Sequence, residues 1–343
     1  MNKPNILLIY TGGTIGMVKD YKTNSLKAFD FDNLRKRIPE LNQIACNIKT
    51  ISFKNPLDSS DMDNNSVAKI ATIIADHYLE ADGFVVLTGS DTMSYISSTL
   101  SFMFENLSKA VVFTGSQLPI GDLRTDAKEN LITAIQVAAS LDKKGKSMVP
   151  EVSLYFEYKL YRANRTTKIN AEHFEAFDSP NYPPLAVSGV HLKFNTSFIL
   201  KHPKLKKLVV RKELVDDIVV LKLFPGINQK VVETILAIPN LKGVILETFG
   251  AGNAPTSKWF ITALKKALKK GIIIVDVTQC VGGSVILGHY DTSLQLKKIG
   301  VYSGKDSTTE AAIAKLKYLL TIGVSKKELK KLFEKPLRGE ITV

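Results

Sequence analysis

Two short segments carry residue types suited to chemistry at a carbonyl. Thr11-Gly12-Gly13-Thr14 follows directly on Ile6, Leu7, Leu8, Ile9 and Tyr10. Thr88-Gly89-Ser90-Asp91-Thr92 follows Phe84, Val85, Val86 and Leu87 in the same way. A strand ending in glycines and hydroxyls opens its backbone to close approach and sets the hydroxyl at the carboxyl edge of a sheet, where α/β folds bind ligands. Two such ends can converge on one cleft and offer Thr14 as a nucleophile. A plainer reading stands beside it: Thr14 caps a turn, and Asp91, read as the first residue of a helix, is its N-cap. The spacing of Gly12, Gly13 and Gly16 fits neither the phosphate loop nor the dinucleotide fingerprint.

Other polar segments divide in the same manner. Asp58-Ser59-Ser60-Asp61 reads as turn and cap residues, or as hydroxyls and amides placed for a carboxylate. The stretch from Arg162 to Lys168 reads as an exposed basic loop, or as the source of a lysine whose catalytic use requires burial beside other groups. Gly115-Ser116-Gln117 is not a nucleophile elbow. His77, His173, His191, His202 and His289 have no metal-ligand spacing, and Cys46 and Cys280 lie far apart, so no metal site is expected.

Strand and helix patterns alternate around these segments. A polar loop is predicted over 19–25, a short helix over 32–38, a strand over 48–53 and a helix carrying Val67, Ile70, Ile74 and Tyr78 on one face. The strand at 84–88 leads to a helix with Met93, Ile96, Leu100, Met103 and Leu107 aligned. Strands at 110–114 and 152–156 flank a helix over 125–141. Continuous apolar strands between amphipathic helices mean a mostly parallel sheet covered on both faces. The predicted fold is therefore α/β, with a large N-terminal domain over 1–194. A basic linker over 195–213 and a smaller three-layer α/β domain over 214–343 follow. In the latter, strands are expected at 218–224, 244–248 and 272–277. Helices are expected at 229–238, 257–269, 308–320 and 326–333.

Composition narrows the class. The chain has 343 residues, a formal net charge of +13 and two cysteines. No run approaches the roughly 18 apolar residues of a membrane helix. The N-terminal apolar stretch is shorter than the roughly 7 to 15 of a secretory signal. Few cysteines fit a reducing compartment, so the cytoplasm is the expected location. The lysines at 264–270 and 326–331 sit at helical spacing without interleaved aromatics. They read as solvated faces rather than a nucleic-acid surface.

Taken together, these motifs resemble the bacterial-type L-asparaginases, in particular the cytoplasmic type I branch. The resemblance runs through Thr11 to Met17, Asp58 to Met62, Gly83 to Met93, Thr114 to Pro119, Arg162 to Lys168, Ser179 to Asn181, Gly252 to Pro255, Thr278 to Cys280 and Leu337 to Glu340. It implies cofactor-free hydrolysis of L-asparagine to L-aspartate and ammonia. Thr14 is then the primary nucleophile, and Lys168 relays a proton through Ser90 beside Asp91. Asp91 holds the substrate α-ammonium and Ser59 and Ser60 its α-carboxylate. Backbone amides near Ser90 and Ser116 are the candidate oxyanion donors. Asn253 and Tyr290 are candidate contacts from a neighbouring subunit in a homodimer or homotetramer. Thr278 and Cys280 are candidates for a secondary, regulatory site. Neither a nucleic acid nor a membrane is an implied partner.

Three positions depart from the pattern. The family's His-Gly-Thr-Asp-Thr is here Thr88-Gly89-Ser90-Asp91-Thr92, which keeps the hydroxyl at 90 but loses the methyl that stiffens χ1. The loop tyrosine that assists the nucleophile has only Tyr21 nearby. The arginine of the regulatory site aligns with Glu247, which predicts absent or altered activation by asparagine. A glutaminase-asparaginase of broader specificity and a non-catalytic small-ligand or nucleic-acid binder are the rival readings.

Overall fold

The strand Asn5–Gly12 (β1) is buried continuously from Ile6 to Gly12, as a strand covered on both faces must be. The computed structural model describes residues 3–20, 25–28, 38–204 and 207–342. The chain forms two units, Met1–Lys212 and Glu213–Val343.

In the first unit β1 is followed by an antiparallel ribbon, Met17–Asp20 (β2) and Ser25–Ala28 (β3), flanking what reads in sequence as a polar loop. The helix predicted over 32–38 and Tyr21 lie outside the described residues, save Ile38, which precedes the 3-10 turn Pro39–Gln43. Asn47–Leu57 (β4) pairs with β1, and Gly83–Leu87 (β5) lies on its other side. After Phe104–Glu105 (β6) come Ala110–Thr114 (β7) and Val152–Phe156 (β8), extending the parallel set β4-β1-β5-β7-β8. Lys159–Arg162 (β9) then turns back antiparallel to β8. Thr167–Lys168 (β10) and Phe177–Asp178 (β11) form a separate ribbon. Ala186–Val187 (β12) and Lys193–Phe194 (β13) close the eight-stranded sheet antiparallel.

The helix Asn64–Asp76 starts where Asp63 accepts a hydrogen bond from the Ser66 amide, and it buries Val67, Ile70, Ala71 and Ile74. Leu131, Ile135 and Ala138 of the helix Ala127–Ala139 pack with Leu8, Val85 and Val112 in one core. The helix Met93–Met103 is shorter than its apolar periodicity predicts. Instead of continuing to Leu107, the chain enters β6, which pairs antiparallel with Val209–Val210 (β14). Asn106, at φ 62, turns the chain out of that strand. Part of the stretch read as a linker is thus a strand of the first unit, with Arg211 Nε 2.9 Å from Glu105 Oε1.

The second unit is a four-stranded parallel sheet in sequential order: Ile218–Lys222 (β15), Gly243–Thr248 (β16), Ile273–Thr278 (β17) and Tyr302–Ser303 (β18). Its core joins Leu221, Val244, Leu246 and Ile274 to Val232 and Leu236 of the helix Gln229–Leu236 and to Phe260 and Leu264 of Lys258–Lys269. The helix Asp291–Ile299 and β18 were not expected. Lys265, Lys266, Lys269 and Lys270 are exposed while Phe260, Leu264 and Ala267 are buried, a solvated face over an apolar one.

Candidate active site

Glycines join the carboxyl ends of the central strands. Gly13 has φ 86 and ψ 169, a region essentially closed to other residues, and it starts the 3-10 turn Thr14–Gly16. A side chain on Gly13 would collide with the backbone of Gly89, and one on Gly89 would collide with Ser59. The ends of β1 and β5 therefore meet backbone to backbone, and the Ser59 side chain of the turn after β4 packs onto Gly89. Thr14 and Ser90 are each the next residue after a glycine of that contact, and both are half-buried. The Thr11 hydroxyl donates to the Leu87 carbonyl at 3.0 Å and stitches β1 to β5 just beneath.

Lys168 arrives from elsewhere in the chain. Its Nζ donates to Ser90 Oγ at 2.9 Å and to Asp91 Oδ1 at 2.6 Å. The lysine side chain is 16% exposed and the aspartate 70% exposed, so the charge pair straddles the boundary between protein and solvent. Asp91 is not the helix cap that its position suggests. The cap is Thr92, whose own hydroxyl donates to the Ser59 carbonyl at 2.6 Å and ties the second motif to the 58–61 turn.

The segment before Lys168 is buried rather than an exposed basic loop. Arg162 forms an ion pair with Glu151 at 2.6 Å, the side chains being 3% and 4% exposed, and Arg165 is also buried. Asn164 Nδ2 donates to Ser101 Oγ at 3.1 Å, fixing the 3-10 turn Ala163–Arg165 on the helix that follows Ser90. The pairing of Lys168 with Phe177 holds the far side.

Ser59 is buried against Gly89, whereas the Ser60 hydroxyl donates to Asp58 Oδ1 at 2.7 Å. The Ser60 amide and hydroxyl together hold the Asp58 carboxyl below its ordinary range. Ser116 turns its hydroxyl onto the Leu118 carbonyl at 2.6 Å, and it is Gln117 that reaches Ser90. Asp126 takes the Gln117 and Leu118 amides; burial raises its pKa against those bonds. Neither Gln117 nor Asp126 is among the site residues expected from sequence; the position of Gln117 directly after a strand–Gly–Ser end is the available signal.

The remaining candidates lie in the second unit. Asn253 Oδ1 accepts from Thr292 at 2.6 Å, and Tyr290 is half-exposed at the start of the helix Asp291–Ile299. The Cys280 amide donates to Thr278 Oγ1 at 3.0 Å, and the thiol is exposed. Glu247 accepts from Thr309 at 2.7 Å and lies 3.6 Å from Lys222. Among the described residues, no group of three His, Cys, Asp or Glu side chains is placed to hold a metal ion. No helix among the described residues is long and apolar enough to cross a membrane.

Residues 5–200 match the family model described as Asparaginase, N-terminal, and residues 217–333 match Glutaminase/Asparaginase C-terminal domain. The chain belongs to the asparaginase family. Relatives bear on its whole length. L-asparaginase 1 of Escherichia coli K12 is 40% identical over 343 residues, covering 100% of this chain and 99% of the relative. The 60 kDa lysophospholipase of Mus musculus is also 40% identical, over 98% of this chain but 62% of the longer relative. The crystal structure of L-asparaginase I from Vibrio cholerae superposes with a TM-score of 0.89 at 39% identity, covering 99% of this chain and 100% of that one. In this asparaginase-family site an ammonium bridges a hydroxyl and a carboxylate. Such an arrangement can pass a proton through the hydroxyl to a departing amine.

Proposed function

We propose that the chain is an L-asparaginase that hydrolyses L-asparagine to L-aspartate and ammonia with Thr14 as nucleophile. The observation that carries the reading is the Lys168–Ser90–Asp91 cluster, which follows the Gly13–Gly89 backbone contact on which Thr14 also sits. The Thr14 oxygen attacks the side-chain amide carbon and loses its proton. The amide nitrogen gains a proton by way of Ser90 and Lys168, the C–N bond breaks and ammonia leaves. Water then adds to the acyl carbon, the bond to Thr14 breaks, and aspartate departs as the hydroxyl recovers its proton. One water is consumed overall. Amides near Ser90 and Ser116 stabilise the oxyanion. Asp91, bound to Lys168 through Oδ1, leaves Oδ2 for the substrate α-ammonium. Ser59 and Ser60 are assigned to the α-carboxylate, for which Ser60 exchanges the bonds of its amide and hydroxyl to Asp58.

Glutamine is the second substrate to weigh, because the C-terminal family model carries both names. One methylene changes discrimination by only about 1–3 kcal/mol, so side-by-side ammonia release from asparagine and glutamine decides preference. In the same assay Ser90→Ala lowers the asparagine rate about 100-fold or more. A rate within threefold of wild type would remove the relay.

The functional unit is a cytoplasmic homodimer or homotetramer in which Asn253 and Tyr290 serve a neighbouring subunit. Glu247, engaged by Thr309 and Lys222, repels an effector carboxylate beside Thr278 and Cys280, so the rate curve with asparagine is hyperbolic.

A further inference from the structure

Gln117 is held at both ends. Its backbone amide donates to both oxygens of Asp126, at 3.1 and 2.9 Å. Asn130 Nδ2 braces the same carboxylate and the Gly115 carbonyl. The side-chain Nε2 donates to the carbonyls of Ala171 and His173, at 3.1 and 3.0 Å. Two carbonyl acceptors fix which end of the amide is nitrogen, because an amide oxygen there would meet only other oxygens. The Oε1 atom therefore faces Ser90 and accepts from its hydroxyl at 3.3 Å. Catalytic hydrogen bonds are commonly long in a free enzyme and tighten in the Michaelis complex.

A serine hydroxyl has one proton to give. Given to Gln117, it leaves a lone pair facing the Lys168 ammonium 2.9 Å away, so the chain of donors runs Lys168 to Ser90 to Gln117. Serine lacks the β-branch that restricts χ1 in threonine, and three staggered rotamers are open to it. The fixed acceptor on Gln117 selects the one facing Lys168. The same amide grips residues 171 and 173, just beyond Lys168, so both partners of the relay are referred to one side chain.

We infer that Gln117 is a positioning residue of the hydrolytic site: it orients the Ser90 hydroxyl, the task that a methyl at position 90 would otherwise perform. This inference rests on the asparaginase reading above.

The test is a double-mutant cycle on kcat for ammonia release from L-asparagine, with Gln117→Ala introduced into wild type and into Ser90→Thr. A misdirected catalytic group can cost on the order of 100-fold. Gln117→Ala is expected to lower kcat at least about tenfold in wild type, with KM changed less than threefold and the melting temperature retained. In the Ser90→Thr background the same substitution should cost at least about fivefold less, because the added methyl restores orientation. An equal cost in both backgrounds would make Gln117 a brace for the 169–173 turn and overturn the inference, as would a loss below threefold in wild type. Absence of ammonia release from wild type itself would instead sink the asparaginase reading, which keeps the two failures distinct.

Discussion

Gly13 and Gly89 touch through their backbones, and that contact sets the two hydroxyl-bearing strand ends side by side. Neither glycine has an acceptable replacement there, although for different reasons. Gly13 also holds φ 86 with ψ 169, whereas Gly89 is constrained by the proximity of Ser59 alone.

Gly13→Ala is therefore expected to destabilise the first unit by at least ~2 kcal/mol and to abolish measurable hydrolysis, because the strand ends must part. Denaturant titration together with ammonia release checks this. Wild-type stability and rate in the variant would contradict the close approach.

The buried pair Glu151–Arg162 holds the segment that delivers Lys168, and Arg162 also donates to the Phe198 carbonyl at 2.7 Å. Removing one partner leaves a buried charge alone, so Arg162→Met should cost ~3–5 kcal/mol. Replacing both, as Glu151→Leu with Arg162→Met, should cost less than either single change. Urea unfolding of the three variants measures the difference, and strictly additive losses would argue against a coupled pair.

Much of the fold was legible because its strands are continuous apolar runs of about five residues between helices of clear period, as at Val85 and Val112 beneath Leu131 and Ile135. What escaped was set by long-range pairing. The β6–β14 ribbon is two residues on each side, too short for any periodic signal, so the apolar period runs on to Leu107 and the basic stretch over 195–213 reads as a linker. Asp91 was offset by a single residue from the true cap, Thr92, because cap preference does not distinguish neighbouring acids and hydroxyls. The 162–168 segment reads as a solvated basic loop because the carboxylate neutralising Arg162 is contributed by Glu151, eleven residues earlier and just before β8. The strand–glycine–hydroxyl ends already point to Thr14, the relay roles of Ser90 and Lys168 follow from the motif resemblance, and the hydrogen bonds of Lys168 supply the geometry that sequence cannot.

Asp276 in the second unit is fully buried. Its Oδ1 accepts from Thr248 at 2.6 Å, and its Oδ2 has no hydrogen-bond partner among the described residues. Burial pushes this carboxyl up to about 7, against the opposing effect of the Thr248 bond. Between its unfolded value of 3.8 and about 7 the folded protein holds the proton while the unfolded chain has released it. Stability is therefore full below the unfolded value and declines as pH rises through the folded one, then levels off. The gap limits the effect to ~4 kcal/mol. Asp276→Asn keeps an acceptor for Thr248 without the ionisation. Its melting temperature should fall less than that of wild type between pH 5 and pH 8; parallel curves would contradict the assignment.

The most direct measurement is ammonia release from L-asparagine by wild type and by Thr14→Ala, with the fold of each verified by circular dichroism. The nucleophile assignment predicts steady release by wild type and a loss of about 1,000-fold or more in the variant. Release by Thr14→Ala within tenfold of wild type would contradict it.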